Sequence, residues 1–508
     1  MNLLSSTYIF SFFTLLSRIL GYLRDILIAI FLGASIYADA FFVAFRLPNT
    51  FRRLFSEGTF NAAFIPSYIS AKNRSQDSGK KFANEVFNLL TIILLAIILV
   101  VEIFTPYVIY LIAPGFADST DKFNLAVEFT RITFPFLIFV SLSSFFSGIL
   151  NSNNKFAAAA AAPIILNLIL ILSLLISFFY KLNFAKQLSY GVTLSGVIQL
   201  IFLYFFSKNY FRPSFELKNK INSKVKFFFK KLLPSILSSG VTQINILIGT
   251  IIASFEMSAV SYLYYADRVY QINLALAGIA VGTVSLPVLS KAFKQKNIKK
   301  ISNIQNKSLE LSLLLSIPAS LGLIIASEQI INALFGYGSF NTENISNTAS
   351  ALKYFGYGVP AFALIKILSN FFFARNNTKI PFYISTLIVI LNIILSVSFF
   401  SKVGFIIIPI ATSISTWIGV VIYIFILNQR NFLLIKNYLF TNIFKIILNT
   451  LIMSVILIFT LEHFKDFLDY EYKYKSIYLL LIIGFAACIY LISCYLTGIL
   501  KKKNFKTN

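Results

Sequence analysis

A chain of 508 residues that is 57% hydrophobic and only 12% charged, with a mean hydropathy of +0.80, excludes a soluble domain and reads as an all-α polytopic membrane protein. The net charge of +25 would suit nucleic acid, but the lysines sit in short breaks between apolar runs, where the positive-inside bias places them. Two cysteines, Cys488 and Cys494, fit neither a disulfide framework nor a metal motif, and the first apolar run is too long and too arginine-rich for a cleaved signal peptide.

Apolar runs read against charged breaks predict fourteen transmembrane helices. Their approximate spans are 7–33, 37–70, 84–113, 123–150, 157–179, 187–207, 228–254, 259–290, 306–334, 346–375, 381–400, 404–427, 440–461 and 476–499. The basic breaks all follow even-numbered helices. They hold Lys72, Arg74, Lys80 and Lys81; Lys155; Lys208, Arg212, Lys218, Lys220, Lys224, Lys226, Lys230 and Lys231; Lys291 to Lys300; Arg375 and Lys379; Arg430 and Lys436; and Lys501 to Lys503. Both termini are therefore expected in the cytoplasm. The expected organisation is an N-terminal lobe over 1–207, a basic linker over 208–231, a C-terminal lobe over 232–430 and two further helices over 431–508. A faint echo links the two halves: Tyr37-Ala38-Asp39 and Gly58-Thr59 before Pro66 return as Tyr265-Ala266-Asp267 and Gly282-Thr283 before Pro287. Transporters are often built from such repeats.

The first two helices carry the anomaly. Arg18, Arg24 and Asp25 lie in the first, and Asp39, Arg46, Arg52, Arg53 and Glu57 in the second. A charge at bilayer depth costs roughly 2.5–3.5 kcal/mol, so such residues face protein or a water-filled cavity. Only 11 of the 44 basic residues in the chain are Arg, yet every cation here is Arg, which points to a planar fork for phosphate or carboxylate. Arg18 and Asp25 share one face, as do Ser17 and Arg24, while Asp39, Arg46 and Arg53 form a stripe at steps of seven. Pro48 is expected to interrupt the second helix by freeing the Ala44 carbonyl. In one reading these charges pair among themselves, Arg24 with Asp39 for instance. In the other, the excess of five arginines over three acids meets an anionic ligand. Asp267 and Arg268 lie deep in the eighth helix, with Ser261 seven residues before Arg268, and Lys366 is a further buried-charge candidate. No catalytic constellation is visible: the sole histidine, His463, lies in an outer loop, and no phosphate-binding glycine loop is present. An enzyme is not expected, nor a cofactor, nor nucleic acid as partner.

The segments SRxLGxxRD at 17–25, ADAFFVAFRLPNxFRRLFxEGxFxxAFIP at 38–66, NxxxKFAAAAAAPIILN at 151–167, YYADRVYQ and GTxxLPxLSKAF at 264–293, and KxLSNFFFARNNTKIPF at 366–382 closely resemble the MurJ (MviN) family of bacterial lipid II flippases. The likeness covers essentially the whole chain. It implies the MOP exporter fold, with two six-helix lobes around a central cavity and two extra C-terminal helices forming a groove for the undecaprenyl tail. It also implies a multi-pass protein of the bacterial cytoplasmic membrane that moves lipid II from the inner to the outer leaflet by alternating access. Partners would be lipid II, membrane lipids and candidate cell-wall synthesis proteins. Family positions regarded as essential match Arg18, Arg24, Arg52 and Arg268, with Asp25 and Asp39 in support, and Asn49 and Ser261 match cavity-lining positions. Ser17 and Asp267 complete the expected substrate-binding set. Two departures stand out: Gln271 replaces a frequent Glu, and Phe335 to Phe340 lacks an arginine that some members have. The nearest rival is a flippase or exporter of another lipid-linked saccharide in the same superfamily. A membrane-embedded glycosyltransferase would need larger outer loops, and a scaffold would not need buried arginines. The sequence names no coupling ion, and it leaves open whether Arg46, Arg53 and Lys366 touch substrate.

Overall fold

The computed structural model describes residues 3–56, 59–215 and 223–500. Glu57, Gly58, Lys218, Lys220 and Lys501 to Lys503 lie outside them. The chain divides into two compact units, Met1–Ser261 and Tyr262–Asn508.

The first unit contains α1 (Leu3–Leu32), α2 (Ile36–Ser56), α3 (Thr59–Lys72), α4 (Gln76–Ile103), α5 (Thr105–Ile112), α6 (Thr120–Thr133), α7 (Phe136–Ser152), α8 (Phe156–Tyr180), α9 (Phe184–Ser207), α10 (Ser223–Ala253) and the start of α11 (Ala259–Leu274). Polar caps set several starts. Ser35, Ser75 and Asn183 each accept a backbone N–H from three residues on, which satisfies donors that the first helical turn leaves open. An aromatic core built from Phe60, Phe64, Phe82, Phe145 and Phe228 ties α3, α4, α7 and α10 together through edge and offset ring contacts.

Pro48 does not interrupt α2, contrary to the sequence expectation. The hydroxyl of Thr133, fully buried at the end of α6, donates to the carbonyl of Ala44 that the proline leaves without a partner (3.1 Å). A side chain from another helix thus repairs the ladder, as the membrane interior requires. Thr133→Val keeps the shape and removes this bond. The variant is expected to lose about 1–3 kcal/mol of stability, measurable by thermal unfolding in detergent.

The second unit holds most of α11, then α12 (Val281–Lys294), α13 (Ile298–Ile325), α14 (Ser327–Phe335), α15 (Thr342–Phe373), α16 (Lys379–Val403), α17 (Ile407–Gln429), α18 (Asn437–His463) and α19 (Lys475–Leu496). A π-helical turn, Ala275–Ala280, separates α11 from α12. Gly58 of the first unit lies outside the described residues, while in the second unit the Gly-Thr pair of the sequence echo, Gly282-Thr283, lies in the first turn of α12, directly after that π-helical turn. Asn370 of α15 donates to the Gly282 carbonyl there (2.8 Å). α15 is the buried centre of this unit and packs on α13 and α17.

An irregular segment at 432–436 is clasped by α13. Gln305 donates to the Phe432 carbonyl (2.7 Å) and Asn306 to that of Leu434 (2.6 Å), while the Leu434 and Lys436 amides return bonds to the same two side chains. Arg375 stacks between the rings of Phe293 and Phe432, about 4 Å from each centroid. Burial pulls its guanidinium down to about 10, so it remains a cation at neutral pH.

Among the described residues, ten helical stretches are long and apolar enough to cross a membrane. The arginine-bearing α1 and α2 are not among them.

Candidate functional site

The first unit contains two buried charge clusters. In the first, Arg24 on α1 is 7% exposed and donates from Nε (3.0 Å) and Nη2 (2.6 Å) to Oδ1 of its neighbour Asp25, itself 2% exposed. Its Nη1 donates to Oδ1 of Asn167 on α8 (2.9 Å). The other end of that amide donates to the Ser17 carbonyl (2.8 Å) and lies 3.4 Å from the Ser17 hydroxyl. Asn167 thus fixes the guanidinium plane and ties it back two turns along α1. Gly21 faces the same amide, where an added Cβ would stand 3.4 Å from Asn167 Nδ2. Arg18, six residues before Arg24 on α1, is exposed.

In the second cluster Asp39, in the first turn of α2, is fully buried. Its Oδ2 pairs with Nζ of Lys122 (2.6 Å), and its Oδ1 accepts from the Ser261 amide (2.9 Å) and hydroxyl (2.5 Å). Lys122, 5% exposed, also sits 4.2 Å over the ring of Phe116. The pairing of Arg24 with Asp39 that the sequence suggested does not occur, because each has a closer partner of opposite charge. The surrounding turns are held shut. The Gly115 amide donates to Ser254 Oγ (3.0 Å), and Ser258 Oγ donates to the Ala34 carbonyl (2.9 Å). A side chain at Gly115 would meet the backbone of Ser254 and Phe255 at 2.5 Å, so only glycine fits that approach.

Arg52 is half-buried on α2, and its Nε donates to Asn49 Oδ1 (3.0 Å). It lines a cavity of about 30 Å³ together with Ser143, Ser144, Ser147 and Gln199. Ser143 Oγ and Gln199 Nε2 have no protein partner among the described residues, and the volume holds one or two waters. Arg46 and Arg53 are half-buried on the same helix.

In the second unit Arg268 stacks on Tyr264, 4.6 Å from the ring centre, and donates to its hydroxyl (3.0 Å). Asp267 accepts from Gln271, the residue that departs from the family pattern. Lys366 is exposed on α15. Ser261 and Arg268, seven residues apart, have different surroundings: the serine is buried against Asp39, and the arginine is half-buried against an aromatic face.

Two contributors escaped the sequence reading. Asn167 stood in the quoted 151–167 block without a role, and Lys122, just before the 123–150 span, was not singled out. A lone lysine in a break otherwise poor in cations, facing a helix that carries a buried acid, was the available signal for Lys122.

The family model for "Lipid II flippase MurJ" matches residues 28–478. A "Probable lipid II flippase MurJ" of Rhizobium tropici is 38% identical over 493 residues, covering 96% of this chain and 92% of the relative. One of Rickettsia prowazekii is 36% identical over 510 residues, 99% of each chain. Among solved structures, "Lipid II flippase MurJ, inward closed conformation" aligns with a TM-score of 0.80 at 30% identity, over 96% of this chain and 98% of that one. An inward-facing multidrug transporter of the MATE family in the MOP superfamily aligns at 0.66 with 14% identity, over 82% and 94% of the two chains, a likeness of fold. The chain belongs to the lipid II flippase MurJ family.

Proposed function

We propose that this multi-pass membrane protein carries lipid II from the inner to the outer leaflet by alternating access, with both termini in the cytoplasm. Fourteen membrane helices would form two six-helix lobes, 1–207 and 232–430, followed by two helices within 431–508 for the polyprenyl tail. Arg24, Arg18, Arg52 and Arg268 are to serve as the substrate-binding cations. Ser17, Asn49 and Ser261 serve as polar positions, and Asp25, Asp39 and Asp267 as competing acids.

The observation that carries this reading is the state of Arg24. Its guanidinium is nearly enclosed, oriented by Asn167, and already gripped by a carboxylate through two N–H groups. That is the geometry a phosphate oxygen would use. Asp25 fills the anion position when substrate is absent, so a diphosphate binds by exchange against it. Exchange keeps net affinity moderate, which release at the opposite leaflet requires. Arg268 stacks on Tyr264 and donates to its hydroxyl, and its planar guanidinium suits a diphosphate better than a lysine would.

Arg268→Ala is expected to fail to support growth and peptidoglycan synthesis when the native flippase is depleted, at normal protein level, while Arg268→Lys retains part of the activity. Normal growth with the alanine variant would remove Arg268 from the diphosphate site.

A further inference from the structure

The first unit carries a second cationic site that shares no residue with the Arg24 and Asp39 clusters. It lies where the start of α4 meets the segment that follows α9. Lys80 and Lys81 rise from α4, and Lys208 and Arg212 come from the segment at 208–214, around a pocket of about 570 Å³. None of its described lining residues is acidic.

The wall is built. Asn84 of α4 donates to Ser214 Oγ (2.8 Å) and accepts from the Ser214 amide (2.7 Å), and Asn88 donates to the Ser214 carbonyl (3.0 Å). Phe211 is buried between the rings of Phe87 and Phe145. These contacts hold four like charges around one opening, an arrangement that repels itself unless an anion joins it.

We propose that this pocket binds the headgroup phosphate of an anionic membrane lipid. α4 begins and α9 ends at the pocket, and both are among the helices apolar enough to span. The pocket therefore lies at a membrane surface, where basic residues meet lipid phosphates. Below it the two spans expose Ile92, Ile93 and Leu95 on α4, and Ile201, Phe205 and Phe206 on α9. Apolar faces next to a cationic pocket suit acyl chains beneath a phosphate, and a free phosphate ion would use none of them. Lys208 lies 4.3 Å over the Phe205 ring, which bridges the charged level and the apolar one.

The test is native mass spectrometry of the purified full chain in detergent, titrated with dioleoyl phosphatidylglycerol, dioleoyl phosphatidylcholine or inorganic phosphate. The expected result is a preferred phosphatidylglycerol adduct that weakens about fivefold for each charge removed among Lys80→Gln, Lys81→Gln and Arg212→Gln, and about 100-fold in the triple variant. A control triple variant, Lys291→Gln, Lys294→Gln and Lys300→Gln, has the same net charge and should bind as the wild type. Equal adducts in both triple variants would overturn the site. Displacement of the lipid by an equal concentration of inorganic phosphate would overturn the lipid as its occupant.

Discussion

Arg24→Ala is expected to abolish lipid II movement and to destabilise the first unit. Removing the guanidinium leaves the Asp25 carboxylate without its ion-pair partner at 2% exposure, and breaking a buried pair from one side costs about 3–5 kcal/mol. Loss of function in this variant alone would therefore be ambiguous. Adding Asp25→Asn removes the stranded charge and should recover most of the thermal stability in detergent without restoring growth of a depleted strain. Arg24→Lys keeps the charge but cannot make both bonds to Asp25 and a third to Asn167 in one plane, and intermediate function is expected. Growth supported by the stable double variant would mean that Arg24 is a structural rivet.

Lys122→Met is expected to destabilise the first unit strongly. Asp39 is fully buried, and its Oδ2 has Lys122 as ion-pair partner at 2.6 Å. Its other oxygen keeps the Ser261 amide and hydroxyl, but neutral donors do not replace a cation in so dry a place. A loss of about 3–5 kcal/mol is expected in thermal or chemical unfolding. Combining Lys122→Met with Asp39→Asn should return most of it, because removing both charges also removes their desolvation cost. Wild-type stability in Lys122→Met alone would contradict the pairing.

The apolar runs were legible because hydrophobicity along one segment is a local property: each predicted span falls on a helix or on a consecutive helix pair. Where helices divide was less so. Pro48 carried the obvious break signal, yet a threonine contributed by α6 cancels it. The arginines were legible as an anomaly, and their partners were not. Lys122 is 83 residues from Asp39 and Asn167 is 143 from Arg24, so no periodicity within α1 or α2 can find them. Steps of seven grouped Arg46 with Arg53, but they say which residues share a face and not which face meets a cavity. In the structure it is Arg52 that lines the small polar cavity with Ser143, Ser144, Ser147 and Gln199.

The most direct measurement places lipid II in one leaflet of vesicles that contain the purified protein and follows its arrival, chemically unchanged, in the other. Wild-type protein is predicted to accelerate the transfer, and the Arg24→Ala, Asp25→Asn double variant, reconstituted at equal density, is predicted to leave it at the rate of empty vesicles. Equal rates for the wild type and that variant would contradict the assignment of Arg24 to the diphosphate.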